Sequence, residues 1–417
     1  MALLLVIALT CLFQAPTFAE ERKEISVLVD GLPVNFDAPP VLQSGRTLVP
    51  FRAVAEALNV PVSWDDRTKT VTAAGKEVSL RLQIASQTAY VNEKPVRLDA
   101  PPVIANNRTL IPLRFFSEAL GCRVAWDGER KEVQVWSGPA ELTVIGFYAL
   151  GDSKTSSWQD LFGKAYPETG KGNTDLVDEL ALGWYSLDGQ GNLLTRSRTG
   201  WQRPAGWEDV LKAARDFGLK TEMVVHVTDQ NGLLAGLLTD EKACRQAVDA
   251  IAREAKLYQG VNLDFEGLGY QEKVEQLAAT RRNFVNFVNL LAKQLKEKGD
   301  SPGLTLTLHA PNSHYPGYDY RALGQIAGRL IVMAYDYGPK PEPVNLVRQA
   351  VEMAIAAGVP PEKLVLGVSA PAETPESILT KVGIAKRYGL AGIALWRLGL
   401  VSGETWTALR TTVQTRK

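Results

Sequence analysis

The sequence predicts an α/β protein, a (β/α)8 TIM barrel preceded by a small α+β domain of two repeats. Two observations support this prediction. Within the first third of the chain, one stretch recurs without a gap at an offset of 62 residues, which indicates a duplicated unit. The remaining two thirds alternates short apolar runs with helix-period segments, as expected for strands joined by helices. The length of 417 residues suits two or three domains.

Charge and composition narrow the function classes. Lys and Arg number 46, and Asp and Glu also number 46, so there is no basic excess to neutralise the phosphates of a nucleic acid or to hold a membrane surface. The three cysteines are too few for a disulfide framework. The three histidines, His226, His309 and His314, show no local metal-site spacing. These counts favour an enzyme or a binding protein for neutral ligands, with no metal and no cofactor.

The first 19 residues are predicted to be a signal peptide. Met1 to Phe13 is apolar except for Thr10, and the run is followed by small residues up to Ala19. This run is shorter than the roughly 20 residues that a membrane span needs. No Lys or Arg precedes it, and a buried N-terminal helix is the alternative. We therefore expect an exported protein, secreted or associated with the cell envelope, without a membrane span.

The repeats occupy residues 25–137. Asp37 to Val41 recurs as Asp99 to Val103, Arg46 to Arg52 recurs as Arg108 to Arg114, and Trp64-Asp65 recurs as Trp126-Asp127. Each unit is predicted to hold a strand hairpin, a short helix (51–58 and 113–120) and a closing strand (70–72 and 132–135). The two tryptophans could be sugar-stacking platforms, but their equivalent positions favour core anchors.

This stretch resembles the copper amine oxidase N-terminal-like, or stalk, domain of bacterial surface proteins. The motif is R-T-L-[VI]-P-x-R at the start of the helix, followed by the W-D turn. The resemblance implies a spacer or wall-associating module. Neither repeat contains a histidine, so neither offers the imidazole that copper prefers.

Residues 141–417 are predicted to form the barrel. The eight apolar runs are 142–148, 179–185, 221–227, 260–266, 304–309, 330–335, 364–368 and 392–396. In such a barrel the active site lies where the strands end, so polar residues that close a strand are the candidates for function.

The fourth strand carries the strongest signal. Side chains alternate along a strand, so Asn262, Asp264 and Glu266 would point into the barrel while their neighbours face the helices. A buried parallel strand is normally apolar on both faces. Two carboxylates placed side by side separate their pKa values, which is what a general acid requires. A structural carboxyl pair is the alternative interpretation.

The same segment is similar to the D-G-x-D-x-D-x-E signature of glycoside hydrolase family 18, the chitinase-like hydrolases. Gly260, Asp264 and Glu266 match it, whereas Gln259 and Asn262 replace the first two acids. Asn at that second position resembles the spore-cortex and spore-germination branch. Three further segments agree: Ile145 to Tyr148, Met333 to Tyr337 and Gly392 to Trp396.

The resemblance implies a role for each residue. Glu266 would protonate the glycosidic oxygen while the substrate's own acetamido oxygen attacks the anomeric carbon, the substrate-assisted route of this family. Asp264 would hold the acetamido N–H, Tyr335 would aim the acetamido oxygen, and Trp396 would stack under the sugar. Candidate substrate-binding residues are Asn262, Asp336, Met333, Tyr148, Trp184, Tyr185 and His309. His226 and His309 could equally be structural.

The sequence motifs are compatible with two functions. One is a retaining hydrolase of glycans that contain N-acetylglucosamine, with peptidoglycan or spore cortex favoured over chitin by analogy alone. The other is a non-catalytic, lectin-like envelope protein. Asp264, Glu266 and Tyr335 are all present and favour the enzyme, whereas Gln259 and Asn262 keep the lectin open. A surface-layer scaffold is supported by the repeats alone.

Overall fold

The computed structural model describes residues 25–75, 77–148, 157–197, 200–296 and 303–415. The predicted signal peptide lies outside these ranges. The strands of the first domain are β1 (Ser26–Val29), β2 (Leu32–Pro33), β3 (Val41–Gln43), β4 (Arg46–Pro50), β5 (Val62–Asp65), β6 (Thr70–Ala74), β7 (Ser79–Gln83), β8 (Thr88–Val91), β9 (Lys94–Arg97), β10 (Val103–Ala105), β11 (Arg108–Pro112), β12 (Arg123–Asp127) and β13 (Glu132–Trp136). Its helices are α1 (Phe51–Ala57) and α2 (Leu113–Ala119).

The two repeats are interlocked. Strand β1 of the first repeat pairs in parallel with β13 of the second, and β6 pairs with β7 across the junction of the repeats. In a third sheet, Val49 faces its own repeat equivalent Ile111. Both side chains are fully buried. The repeats are therefore related by an approximate two-fold axis, and each completes the other's sheets and core.

Two ion pairs obey the same symmetry. Arg46 binds Asp99 at 2.6 Å, and its repeat equivalent Arg108 binds Asp37, the equivalent of Asp99. These exposed pairs contribute at most about 1 kcal/mol each. They indicate the symmetry of the contact more than they stabilise it, because the shared apolar core supplies the main free energy of folding.

The tryptophans of the two repeats differ in environment. Trp64 is half-buried and packs against the core of the first domain. Trp126 is 46% exposed. The prediction that both anchor the core is therefore wrong for Trp126.

The barrel follows from β14 onward. Its strands are β14 (Ala140–Glu141), β15 (Thr143–Tyr148), β16 (Glu179–Leu187), β17 (Leu193–Leu194), β18 (Lys220–Thr228), β19 (Gly260–Glu266), β20 (Gly303–His309), β21 (Arg329–Met333), β22 (Leu364–Ser369), β23 (Gly392–Trp396) and β24 (Val413–Gln414). Its helices are α3 (Ser157–Phe162), α4 (Trp207–Asp216), α5 (Leu233–Thr239), α6 (Glu241–Glu254), α7 (Val274–Lys296), α8 (Tyr320–Ile326), α9 (Val344–Ala356), α10 (Pro375–Arg387) and α11 (Gly403–Arg410). Short 3-10 turns span Gln230–Gly232, Ala255–Leu257, Pro361–Lys363 and Ala370–Ala372.

Eight parallel strands close the barrel. The order is β15, β16, β18, β19, β20, β21, β22 and β23, and β23 pairs back to β15. This confirms the predicted (β/α)8 fold preceded by a β-rich domain that contains two short helices. Outward-facing strand residues such as Val261, Leu263 and Phe265 pack against the helices in one large core. Inward-facing residues such as Ile145, Ala181 and Val365 form a separate core inside the barrel.

The bottom of the barrel interior is polar and internally paired. The guanidinium of Arg329 binds the carboxylates of Glu179 and Glu222, which are both buried. Together these carboxylates raise the pKa of Arg329 by more than its burial lowers it. A buried charge is tolerated when it is paired in this way.

Helix α10 joins the two domains. The guanidinium of Arg387 donates to the backbone carbonyls of Val29, Leu32 and Pro33 in the first domain. Asn59 donates to the carbonyl oxygen of Lys386. Gly383 lies against Asp30, where an added Cβ would approach the Asp30 carbonyl oxygen to 2.4 Å. Because these contacts are close and include a half-buried cation, the two domains pack directly on each other.

Replacing Arg387 with Ala should loosen this contact. The substitution leaves three carbonyls without their charged donor, and hydrogen bonds to a charged group contribute about 1.5–3 kcal/mol. We expect the unfolding transition of the first domain in differential scanning calorimetry to move several degrees lower while the barrel transition stays. Arg321→Ala is the matched control, since Arg321 donates to the carbonyl of Ala357 within the barrel. Equal shifts for both variants would contradict the assignment.

Candidate active site

A cleft of about 710 Å³ opens at the carboxyl ends of the barrel strands. Residues from six of the eight strand ends or the loops that follow them line it. They are Trp201, His226, Thr228, Asp264, Glu266, His309, Asn312, Ser313, His314, Tyr315, Met333, Tyr335, Asp336, Tyr337, Leu346 and Trp396. The predicted site residues Asp264, Glu266, Tyr335, Asp336, Met333, His309 and Trp396 are therefore brought together.

Asp264 and Glu266 lie at the base of the cleft with His226. Strand β18 pairs with β19 so that His226 is in register with Asp264, and both side chains point inward. His226 Nε2 is 3.5 Å from Glu266 Oε1. Asp264 is almost fully buried, and its Oδ1 has no hydrogen-bond partner among the described residues. One polar atom at the base of the cleft is thus available to a bound ligand.

These three groups set one another's charge. Burial and the neighbouring Glu266 raise the pKa of Asp264 to about 8, against a smaller opposing effect of His226. Burial also acts to raise the pKa of Glu266, but the hydrogen bond and charge of His226 outweigh it and lower that pKa. The pKa of His226 is raised, because the two carboxylates outweigh its burial. Near neutral pH a proton therefore resides on Asp264, beside an ionised Glu266.

Tyr335 and Asp336 are held by the loop that follows β21. The buried carboxylate of Glu342 accepts hydrogen bonds from the backbone N–H groups of Asp336 and Tyr337, both at 3.1 Å. Gly367 on the next strand leaves room for the Tyr335 ring, since an added Cβ would lie 3.2 Å from it. Burial, first, and the Asp264 and Glu266 charges raise the pKa of Tyr335 well above its ordinary value. Tyr335 therefore stays a neutral hydroxyl at the edge of the carboxyl pair.

One wall of the cleft is aromatic. The ring of Trp396, at the end of β23, packs 5.0 Å from that of Trp201 and 5.2 Å from that of Phe147, measured between ring centroids. The approach of Trp201 depends on Gly183 of β16, where an added Cβ would lie 2.1 Å from the indole. A flat indole surface beside a carboxyl pair is suited to the apolar face of a sugar ring.

A second aromatic row leaves the site on the side of β20. The ring of His309 stacks on Tyr315 with centroids 3.9 Å apart, and Tyr315 in turn lies 5.4 Å from Tyr270. Tyr270 is 52% exposed. Burial lowers the pKa of His309 by more than the charges of Glu266 and Asp336 raise it, so this ring is neutral near pH 7. The row extends the aromatic surface from the carboxyl pair toward solvent.

The prediction of a substrate-binding role is wrong for three residues. Tyr148, Trp184 and Tyr185 are all fully buried in the core between strands and helices. On β15 the inward side chain is Phe147, one residue before Tyr148. On β16 the register shifts between Leu182 and Tyr185, and both aromatic side chains turn outward. The Tyr185 hydroxyl is instead hydrogen-bonded to Glu254 and Tyr258.

Asn262 points inward as predicted but lies below the cleft. It is fully buried, its Nδ2 donates to Glu222, and its Oδ1 accepts from Thr307 Oγ1 at 2.8 Å. A carboxylate in its place would face the Glu222 carboxylate without a proton donor between them, which explains an amide at this position. Gln259 is one step further down, where it accepts from the backbone N–H and hydroxyl of Thr221.

His226, Trp201 and Phe147 are site residues that sequence reasoning ranked low or missed. The alternation of β18 could have indicated His226, since Glu222, Val224 and His226 share the inward face. For Trp201 the sequence offers Gly183, which makes room for the indole. That contact can be recognised only when the position of the loop carrying Trp201 is known. Phe147 follows from correct alternation along β15.

His226, Asp264 and Glu266 could also hold a metal ion, because one ligand atom from each lies within 4.8 Å of the others. An imidazole and two carboxylates match a zinc ligand set. The same three groups are the ones that share a proton, so an ion there would displace that proton.

Among the described helices, none has the length and apolar character of a membrane span.

Two known protein families match this chain, one over the barrel and one over the first domain. The model of glycosyl hydrolases family 18 matches residues 209–373, which contain Asp264, Glu266 and Tyr335. The matched segment lies within the barrel and includes its fourth, fifth and sixth strands. Residues 28–135 match the copper amine oxidase N-terminal domain. Both resemblances found in the sequence are confirmed.

Individual relatives match parts of this chain. The Bacillus subtilis sporulation-specific glycosylase YdhD is 28% identical over 182 residues, 41% of this chain and 38% of that protein. Chitinase 2 of Drosophila melanogaster is 31% identical over 129 residues, 27% of this chain and 25% of that protein. The chain thus spans well under half the length of either curated relative.

Solved structures show the same fold. The spore cortex-lytic enzyme SleL of Bacillus megaterium has a TM-score of 0.53 at 16% identity, covering 77% of this chain and 80% of that one. A class V chitinase of Pseudomonas fluorescens has a TM-score of 0.54 at 18% identity, covering 65% and 99%. At these identities the likeness establishes the barrel architecture.

The charge state of the site can be read from the histidines. We expect His226 to titrate above its ordinary pKa of 6.5 and His309 below it. In the double variant Asp264→Asn, Glu266→Gln only burial acts on His226, so its pKa should fall below 6.5. Histidine carbon–proton resonances followed by NMR against pH measure both. A His226 pKa unchanged in the double variant would contradict the coupling.

Proposed function

We propose that the barrel hydrolyses β-linked glycans containing N-acetylglucosamine, and that peptidoglycan-type chains are its natural substrate. The observation that carries this proposal is the buried Asp264–Glu266 pair, with Asp264 Oδ1 unpartnered, at the base of a cleft walled by Trp396 and Trp201. The match to the family 18 model supports the reaction class. The name of the Bacillus subtilis relative, a sporulation-specific glycosylase, supports a bacterial wall glycan over chitin.

The proposed reaction is substrate-assisted. The acetamido oxygen of the bound sugar attacks the anomeric carbon, the bond to the leaving oxygen breaks, and Glu266 gives its proton to that oxygen. Water then attacks the anomeric carbon of the resulting oxazolinium ion from the face that the leaving group vacated, the bond to the acetamido oxygen breaks, and Glu266 takes a proton from that water. Both steps invert the anomeric carbon, so the product retains its configuration.

The protonation states of Asp264 and Glu266 fit this order of reaction steps. Asp264 carries a proton near neutral pH because its pKa is raised to about 8. An arriving acetamido N–H needs a carboxylate acceptor there, so the proton passes to Glu266, whose oxygen atoms lie close by. Glu266 then becomes the acid and Asp264 the negative group that stabilises the cationic intermediate. Tyr335, neutral and adjacent, donates its hydrogen bond to the acetamido oxygen.

Trp396 would stack beneath the sugar that bears the reacting carbon, with Trp201 and Phe147 fixing its plane. Asp336 and Met333 lie at the rim near Tyr335. His309 holds Tyr315 by stacking. We further propose that the chain is exported and acts outside the cytoplasm, where such glycans occur, and that its first domain is associated with the wall.

Hydrolysis tests the proposal directly. The full chain should release reducing ends from peptidoglycan, spore cortex or soluble N-acetylglucosamine oligomers, and product masses should show the linkage cut. Glu266→Gln should lower kcat by about 10²–10⁴-fold, the usual effect of losing a general acid. Glu272→Gln, in the loop that follows the same strand, is the matched control. Absence of turnover on every substrate, with equal oligomer binding by wild type and Glu266→Gln, would indicate the lectin-like alternative.

The aromatic row predicts a dependence on chain length. Tyr315→Ala removes the ring between His309 and Tyr270, so it should raise KM for long oligomers by roughly tenfold, a loss of about 1.4 kcal/mol. Oligomers too short to reach beyond the carboxyl pair should show a smaller change. Tyr388→Ala, at the barrel surface on Glu352, controls for loss of a tyrosine. A uniform change in KM across oligomer lengths would contradict an extended binding surface.

A further inference from the structure

The first domain carries a cavity of its own, of about 460 Å³. It lies at the second repeat, beside helix α2 and the β12–β13 hairpin, and Trp126 contributes a 46% exposed indole to it. The hairpin fixes this indole. Trp126 is paired with Val133 across the two strands, and Asp127 accepts hydrogen bonds from the backbone N–H groups of Glu129 and Arg130, both at 3.0 Å.

The corresponding tryptophan of the first repeat is engaged within the domain. Trp64 packs against the core. Asp66, two residues after Trp64, carries a carboxylate that pairs with Lys69 at 2.7 Å. The residue equivalent to Asp66 in the second repeat is Gly128, at the same offset of 62 residues. An added Cβ at Gly128 would lie 3.4 Å from Trp126 Nε1. The indole nitrogen of Trp126 therefore lies beside a glycine at the position where the first repeat has a carboxylate.

Cationic side chains surround the exposed indole. Arg46, Arg97 and Arg114 line the cavity together with Asp99 and Glu118. Arg46 is paired with Asp99 at 2.6 Å, and Arg114 lies 3.9 Å from Glu118. Arg97 is exposed at the end of β9, and its counterpart in the first repeat is Asn35. In a chain with no net charge, this cavity has a local positive excess.

We propose that this cavity is a second glycan site, which binds β-linked N-acetylated amino-sugar chains that carry carboxylates. The apolar face of a sugar ring would stack on Trp126, an acetamido or hydroxyl oxygen would accept its indole N–H, and a carboxylate would pair with Arg97 or Arg114. The choice of a carboxylated glycan as the ligand rests on the function proposed for the barrel. If this cavity and the barrel cleft bind the same glycan chain, the overall affinity would exceed that of either site alone.

Co-sedimentation with insoluble peptidoglycan tests the site in the full chain. All variants carry Glu266→Gln, so that the glycan is not consumed. Adding Trp126→Ala should weaken retention at least tenfold, or about 1.4 kcal/mol. Adding Gly128→Asp, which places the carboxylate of the first repeat beside the Trp126 indole, should also weaken retention. Trp64→Ala is the matched control and should leave retention within twofold, with unfolding temperatures confirming that every variant is folded.

The charge of the ligand is tested by comparing glycans. Arg97→Gln should weaken retention on peptidoglycan and leave retention on chitin, which is neutral, unchanged. Retention that survives Trp126→Ala would overturn the site, and equal effects of Arg97→Gln on both glycans would overturn the carboxylate requirement. Turnover by the wild-type chain is measured separately. Turnover with retention independent of Trp126 rejects only the second site, whereas retention dependent on Trp126 without turnover rejects only the hydrolase.

Discussion

The burial of ionisable side chains inside a closed parallel barrel is the constraint on which the rest of the structure depends. Three inward layers of β18 and β19 are polar, and each is satisfied differently. Arg329 neutralises Glu179 and Glu222 at the bottom, and an amide, Asn262, replaces a carboxylate in the middle. At the top His226 and one proton balance Asp264 and Glu266. The top layer lines the large cleft, so a ligand bound there can take over part of that balance.

Alternation along β19 was enough to predict which fourth-strand residues point inward, because a short regular strand has no freedom to do otherwise. The same reasoning failed at Trp184 and Tyr185, where a register shift turns two successive aromatics outward, and local sequence gives no signal of a bulge. On β15 alternation places Tyr148 outward once Phe147 points inward. His226 and Trp201 needed the tertiary structure: their roles arise from distances to residues far away in the chain.

Duplication gave the first domain its shape, and divergence gave it its asymmetry. The paired strands, the reciprocal ion pairs and the two short helices obey the two-fold relation. The change from Asp66 to Gly128 and from Asn35 to Arg97 does not. Symmetric contacts maintain the shared core, where both copies must fit each other. Positions outside that core were free to change in one copy, so a difference between the repeats is more informative about function than their agreement.

The parallel pairing of β1 with β13 determines how the first domain would bear mechanical load. The chain enters at the start of β1, beside Glu132, and leaves toward the barrel at the end of β13, beside Val29. Tension between these two points pulls the strands past each other along their length, so the hydrogen bonds of the pair are loaded together and not one after another. Resistance to such sliding is a rate property, governed by the unfolding barrier. A tether ahead of this domain would therefore load this strand pair in shear.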